Sequence, residues 1–398
     1  MNAKRILMIL LAFVLTFSLI ACDSKDDKSK DTDEVDSTGN ENNAEESTDM
    51  EETTGEKPKE IVNKTYKLTE ILDTIKVFGR TTSTAQGLTC DFTASGIEFN
   101  AYIEGKLTVS VTVSKGVSDA ATDDCYFTLY VDGVRSETRF KATKSTTTTL
   151  ELASFATGGV HNIRLVKQTE AKQALATLST VSFKGYFEDA PAPAKHYVEF
   201  VGDSITCGYG NLIANGGSNP HAAVNQDGTQ TFAYLTAQNL GVDHSMVSVT
   251  GIGVAQGYRS FTMSSYFAAN SWYRSTSVKF QPTRTPDIVV INLGTNDINK
   301  GASQSEWKSA VSALITQVRT MYGKDVPIVW VYNMMSPNTV YPQLAQEAIN
   351  ALGGEAAGLY MCKVTNNKAG GNGHPNLEGH KTASAELTKF IQDKKLLK

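Results

Sequence analysis

The run YVEFVGDS at residues 197–204 decides how the second half of the chain folds. Residues 197–201 are short and apolar, as a strand requires, and Gly202-Asp203-Ser204 ends the run at once. A Ser at a tight strand-to-helix turn carries its hydroxyl at the edge of a sheet, where an attacking nucleophile is needed. From there onward strand and helix signals alternate. A helix is predicted over 232–240, stopped by Gly241, and a second strand over 245–249. Residues 288–293 are continuously apolar, which suits a strand covered on both faces. Ser303 and Glu306 form a capping box. Trp307, Val311, Leu314, Ile315 and Val318 then hold one helical face until Gly323 ends it. Strands over 327–332 and 359–364 flank a helix over 342–352, and a last helix runs over 377–394. This is the pattern of a doubly wound α/β domain with a parallel five-stranded sheet, in residues 196–398. Right-handed crossovers bring the C-terminal ends of its strands to one edge.

Upstream the signals differ. Residues 61–187 read as all-β, with alternating runs such as Leu107, Val109, Val111 and Val113, or Tyr126, Thr128 and Tyr130. Asp132-Gly133 between two runs is a hairpin signal. About nine short strands predict a sandwich or jelly roll, and EDAPAPAK at 188–195 reads as a linker. Before that, residues 23–60 hold 15 Asp and Glu against 5 Lys with no aromatic residue, the composition of a disordered acidic tether. Residues 1–22 combine Lys4 and Arg5 with an apolar run too short to span a membrane, as in a signal peptide. They end in Leu19-Ile20-Ala21-Cys22, which resembles a bacterial lipobox. Cys22 is the expected lipid attachment point, which would hold the protein at the extracellular face of the cell membrane. Without tether and leader the body carries about +3, which offers no electrostatic footprint for nucleic acid and is compatible with a neutral polysaccharide. The other cysteines, Cys90, Cys125, Cys207 and Cys362, show no metal-binding spacing, and no disulfide is predicted from them.

Three further motifs fall where the sheet edge should be. Thr250-Gly251 follows the second strand, and a Gly there lets a backbone N–H approach a ligand closely. Gly294-Thr295-Asn296-Asp297 follows the third, and Asn296 can direct a side-chain N–H at a developing oxyanion. His374-Pro375 precedes the last helix, and Pro375 pushes His374 toward extended backbone. Together Ser204, Gly251 and Asn296 offer donors to one oxyanion, and His374 offers a base, the set expected for acyl transfer without metal or cofactor.

The order GDS, Gly, GxND, His-Pro resembles the SGNH (GDSL) hydrolase superfamily over residues 197–398, whose fold is flavodoxin-like. The resemblance implies Ser204 as nucleophile, Gly251 and Asn296 as its oxyanion partners, and His374 as base. With a β-sandwich ahead of it, and with VEFVGDSITCGYGN and GGNGHPNLEGH, the chain is similar to family two of the carbohydrate esterases, which remove acetyl groups from xylan and glucomannan. One position departs from the pattern: Gly371 stands where the superfamily usually places an Asp three residues before the His. A Ser–His dyad is therefore expected, with a backbone carbonyl orienting the imidazole. Tyr209, Tyr258, Trp272 and Tyr273 are candidates to stack on sugar rings. Two other readings remain open: a lipid or thioester acylhydrolase on the same fold, and a catalytically silent glycan-binding surface protein.

Overall fold

The computed structural model describes residues 59–115, 124–144, 147–214, 217, 219, 221–268 and 279–398. The expected leader, Cys22 and nearly all of the acidic tether lie outside the described residues, as do Trp272 and Tyr273. The first part is a set of antiparallel strands: β1 (Val62–Lys67), β2 (Lys76–Phe78), β3 (Thr82–Thr84), β4 (Gly87–Cys90), β5 (Gly96–Lys115), β6 (Asp124–Val131), β7 (Val134–Thr143), β8 (Thr147–Lys167) and β9 (Ala174–Phe187). The count matches the expectation, but the lengths do not. β5 and β8 run for 20 and 21 residues. They belong to one nine-stranded sheet with the path β3-β4-β9-β5-β8-β6-β7. Pairing shifts near Ile103–Gly105 and Leu107–Thr108 interrupt the long ladder between them. Such bulges bend a strand, so a sequence reading counts one bent strand as two short ones. The Asp132-Gly133 turn has φ of 51° and 77°, the double positive-φ geometry of a tight hairpin.

Alternation along β5 puts Ile97, Phe99, Ala101, Ile103, Leu107, Val109 and Val111 into one core, all fully buried. β6 is buried on both faces. Cys125, Phe127 and Leu129 face that core, while Tyr130 joins a second cluster with residues of the α/β part. Cys90, Cys125, Cys207 and Cys362 are buried free thiols.

The second part comprises β10 (Tyr197–Gly202), α1 (Ser204–Cys207), α2 (Phe232–Leu240), β11 (Asp243–Ser248), α3 (Met263–Tyr266), β12 (Ile288–Asn292), α4 (Thr295–Lys300), α5 (Gln304–Tyr322), β13 (Ile328–Tyr332), α6 (Val340–Ala351), β14 (Leu359–Lys363) and α7 (Leu377–Asp393). The five strands are parallel in the order β11-β10-β12-β13-β14. The period of two splits β12 between layers. Val289 and Ile291 pack with Trp307, Val311, Leu314, Ile315 and Val318 of α5, whereas Ile288 and Val290 pack with Ala383, Leu387 and Ile391 of α7. The Ser303 box closes α5 as expected, with both reciprocal bonds formed.

The two parts are not joined by the linker alone. Phe78, Ala94, Tyr130 and Val166 of the β-rich part share one buried cluster with Val198, Phe200, Phe232 and Met246, and Pro58–Lys398 is one compact unit. The seam also buries an ion pair. Arg80 places Nε 3.0 Å and Nη2 2.9–3.1 Å from the Glu199 carboxylate, and both side chains are essentially inaccessible.

Candidate active site

In the register Gly202 lies level with Ser248 on one side and Asn292 on the other. Turns leaving β10, β11 and β12 therefore reach one edge together. Gly202 is required by close approach, because a Cβ there would lie 2.0 Å from Thr206 Oγ1. Asp203 caps the short α1 by accepting from the Ile205 N–H at 3.0 Å. Ser204 is the first residue of that turn, so its own N–H has no helical acceptor.

His374 arrives from the far edge of the sheet. Residues 364–373 cross from β14 and dock beside the turn that carries Ser204, where the Gly371 N–H donates to Gly210 O at 2.9 Å. Two glycines meet there: a Cβ on Gly210 would stand 3.0 Å from the Gly371 Cα. His374 has the extended ψ of 164° expected before Pro375. The result joins residues 170 positions apart: His374 Nε2 lies 2.8 Å from Ser204 Oγ. Nδ1 lies 3.2 Å from Gly371 O and 3.3 Å from Asn372 O. Two carbonyls can only accept, so they hold the proton on Nδ1 and leave the Nε2 lone pair toward the Ser204 hydroxyl. Burial pushes the His374 pKa down to about 4, against a weaker upward pull from the two carbonyls. The imidazole is thus neutral and able to take a proton over a wide pH range.

Gly251 follows β11 with φ +83°. Among the described residues no protein group accepts from its N–H or from that of Ser204. Asn296 sits in the first turn of α4, where Nδ2 donates to Ile252 O at 2.8 Å and to Asp203 Oδ2 at 3.2 Å. The structure brings Asn296 to the same edge, with its amide engaged by both of these bonds. Burial raises the Asp203 pKa to about 7, with the nearby Asp297 carboxylate adding to the shift. Asp297 itself accepts three backbone N–H groups, from Val254, Ala255 and Gln256, at 2.7–3.0 Å. It holds the loop that continues from Gly251.

The aromatic candidates divide. Tyr258 is exposed and its N–H donates to Gly251 O at 2.7 Å, so it borders the site, with Lys300 Nζ 4.2 Å from its ring centre. Tyr209 corrects the expectation of a sugar platform. It is buried and packs on the His374 ring at 4.5 Å between centroids, while its hydroxyl bonds to His221 Nδ1 at 2.6 Å. A large aromatic next to a buried imidazole fills volume that a sugar would need.

Segment 168–173, between β8 and β9, is missed by the sequence reading. It carries polar side chains of the β-rich part to this edge. Lys172 Nζ stands 5.6 Å from the centre of the Tyr209 ring, Gln173 donates to His221 O, and Glu170 bonds to Thr250. No spacing rule marks such residues, because their partners lie far along the chain.

Two family models match this chain. Residues 200–382 match the GDSL-like lipase/acylhydrolase family, and residues 77–193 match the carbohydrate esterase 2 N-terminal domain. The chain thus pairs a domain similar to the GDSL-like hydrolases with one similar to the carbohydrate esterase 2 N-terminal domain. Together they have the architecture of the family two carbohydrate esterases. The chain is 31% identical over 258 residues to the cellulase/esterase CelE of Acetivibrio thermocellus, covering 60% of this chain and 28% of that protein. It is 26% identical over 162 residues to an acetylxylan esterase/glucomannan deacetylase of Cellvibrio japonicus, covering 38% of this chain and 44% of that one. The matches thus span well under two thirds of these relatives. Among solved structures, a family two carbohydrate esterase from Clostridium thermocellum in complex with cellohexaose superposes with a TM-score of 0.72 and 26% identity, over 80% of this chain and 98% of that one.

Proposed function

We propose that this protein is a serine esterase that removes O-acetyl groups from plant polysaccharides through a Ser204–His374 dyad. The observation that carries the reading is the 2.8 Å contact between Ser204 Oγ and His374 Nε2, with Nδ1 held by backbone carbonyls. His374 takes the Ser204 proton as the hydroxyl attacks the acetyl carbonyl. The oxyanion forms against the Ser204 and Gly251 N–H groups, with Asn296 as third donor. His374 then gives that proton to the departing sugar oxygen, which leaves as the free alcohol, and water hydrolyses the acetyl-enzyme. Tyr258, open to solvent beside Gly251, is the sugar platform of this reading. The deacetylase names of the relatives, and cellohexaose in the solved esterase, support a glycan as the alcohol half of the ester.

The test is acetate release from acetylated xylan and acetylated glucomannan, beside hydrolysis of 4-nitrophenyl esters of increasing chain length. Acetate should be released from at least one glycan, and rates should fall beyond butyrate. A preference for long acyl chains would instead identify a lipid or thioester acylhydrolase.

The pH profile carries a second expectation. The base works only when neutral, and activity falls as pH drops through its pKa. For a free imidazole that limb sits near 6.5. Here kcat/KM for acetate release should hold from neutral pH down to about 5 and be halved only near pH 4, following the burial of His374. An acid limb centred at 6.5 would mean that burial does not depress the His374 imidazole.

A further inference from the structure

Thr250 immediately precedes Gly251, so the Thr250 carbonyl and the Gly251 N–H belong to one planar peptide and point in opposite directions. Whatever fixes that carbonyl aims the N–H. The carbonyl accepts from Arg259 Nε at 2.8 Å. On the other side of Thr250, both remaining polar groups go to one carboxylate. Its N–H donates to Glu170 Oε2 at 3.1 Å and its hydroxyl to Glu170 Oε1 at 2.7 Å. Gln226 Nε2 also donates to Oε1, at 3.0 Å. Glu170 is 1% exposed and comes from the β-rich part, 80 residues upstream.

We propose that Glu170 is a positioning residue of the acyl-transfer site: with Arg259 it clamps Thr250 and thereby holds the Gly251 N–H toward the oxyanion. The inference rests on the esterase reading above. A buried carboxylate is tolerated only when well supplied with donors, and two of the donors here belong to the residue before the oxyanion donor. Bonds to a charged acceptor are stronger and shorter than neutral ones, so they suit a part that must not drift. The Arg259 bond also polarises the shared peptide and makes its N–H a better donor. Alignment is thus settled when the protein folds and is not repeated at each turnover, the condition under which oxyanion donors are most effective. On this reading the β-rich part supplies a component of the catalytic apparatus.

The test uses the full chain and 4-nitrophenyl acetate, with folding followed by near-UV circular dichroism. Glu170→Gln keeps the shape but replaces one acceptor oxygen by an NH2 group that cannot accept from Thr250. Its kcat should fall by about 10- to 100-fold, the scale of a slightly misplaced catalytic group, with KM within about three-fold. Thr250→Val removes the hydroxyl from the other end of the same contact and should lower kcat in the same direction. Because both changes remove one shared bond, the double variant should be no worse than Glu170→Gln alone. Thr250→Ser, which keeps the hydroxyl, should recover most of the loss seen in Thr250→Val. A merely structural Glu170 would lower stability and leave the kcat of the folded fraction within two-fold, and that result overturns the clamp. Losses that multiply in the double variant overturn it as well. If Glu170→Gln does not fold, the Thr250 pair decides. If the wild type shows no Ser204-dependent cleavage, the esterase reading falls and the clamp with it. If that cleavage is present and the Glu170 and Thr250 variants are unaffected, the clamp alone falls.

Discussion

Ser204→Ala should lower kcat/KM for acetate release by at least about 10⁴, or roughly 5.5 kcal/mol at 1.36 kcal/mol per decade. The substitution deletes one oxygen whose contact is with His374 Nε2, so the fold has little to lose. On the proposed reading it removes the atom that forms the acyl-enzyme. His374→Ala should cost a similar factor, and the double variant should be no worse than either single one. On the esterase reading Ser204 and His374 act as a unit, and losses within such a unit do not add. The residual rate would come from the oxyanion donors and from substrate binding. Retention of more than about 1% of wild-type activity by Ser204→Ala would assign the chemistry to another group.

Arg80→Met should destabilise the folded chain by about 3–5 kcal/mol, read from the midpoint of urea unfolding at constant m-value. Arg80 donates to both Glu199 oxygens and to the Phe267 carbonyl, and stacks between the rings of Phe267 and Phe280 at 4.8 and 4.1 Å. Glu199 accepts in addition from the Tyr322 hydroxyl at 2.7 Å and from Ser245 Oγ at 3.3 Å. Met fills most of the arginine volume, so the loss measures charge more than packing. It strands a carboxylate in the seam, away from water. Arg80→Met combined with Glu199→Leu should recover much of the loss, since an apolar pair leaves no uncompensated charge. A shift below about 1 kcal/mol in the single variant would mean that water reaches Glu199 once the arginine is gone.

The contrast between Ser204 and Arg80 shows what the sequence could carry. The strand before Gly202, the box at Ser303 and the stop at Gly241 are written in neighbouring residues, and the structure has them where the local pattern puts them. The edge motifs were legible for the same reason: a doubly wound sheet brings the ends of its strands together whatever else the chain does. The meeting of His374 with Ser204 needed that topology and the glycines at 210 and 371. Arg80 and Glu199 lie 119 positions apart, and Glu170 and Thr250 80 apart. Each side chain alone reads as an ordinary surface charge. Only the packing of the β-rich part on the α/β part reveals them as buried partners. Tyr209 differs from its expectation for a related reason: nearness to Ser204 in sequence does not say whether an aromatic ring faces solvent or the back of the imidazole.

The main-chain tether of His374 also bears on heredity. An aspartate that orients a histidine can be erased by one nucleotide change. A carbonyl oxygen belongs to every residue and survives any codon at Gly371 or Asn372. Substitutions there act only by reshaping the turn, and Asn372, at φ +53°, already adopts a backbone that few side chains accept. Damage to the orientation of His374 should therefore be graded, and partial loss of the proposed activity should be commoner among such variants than complete loss.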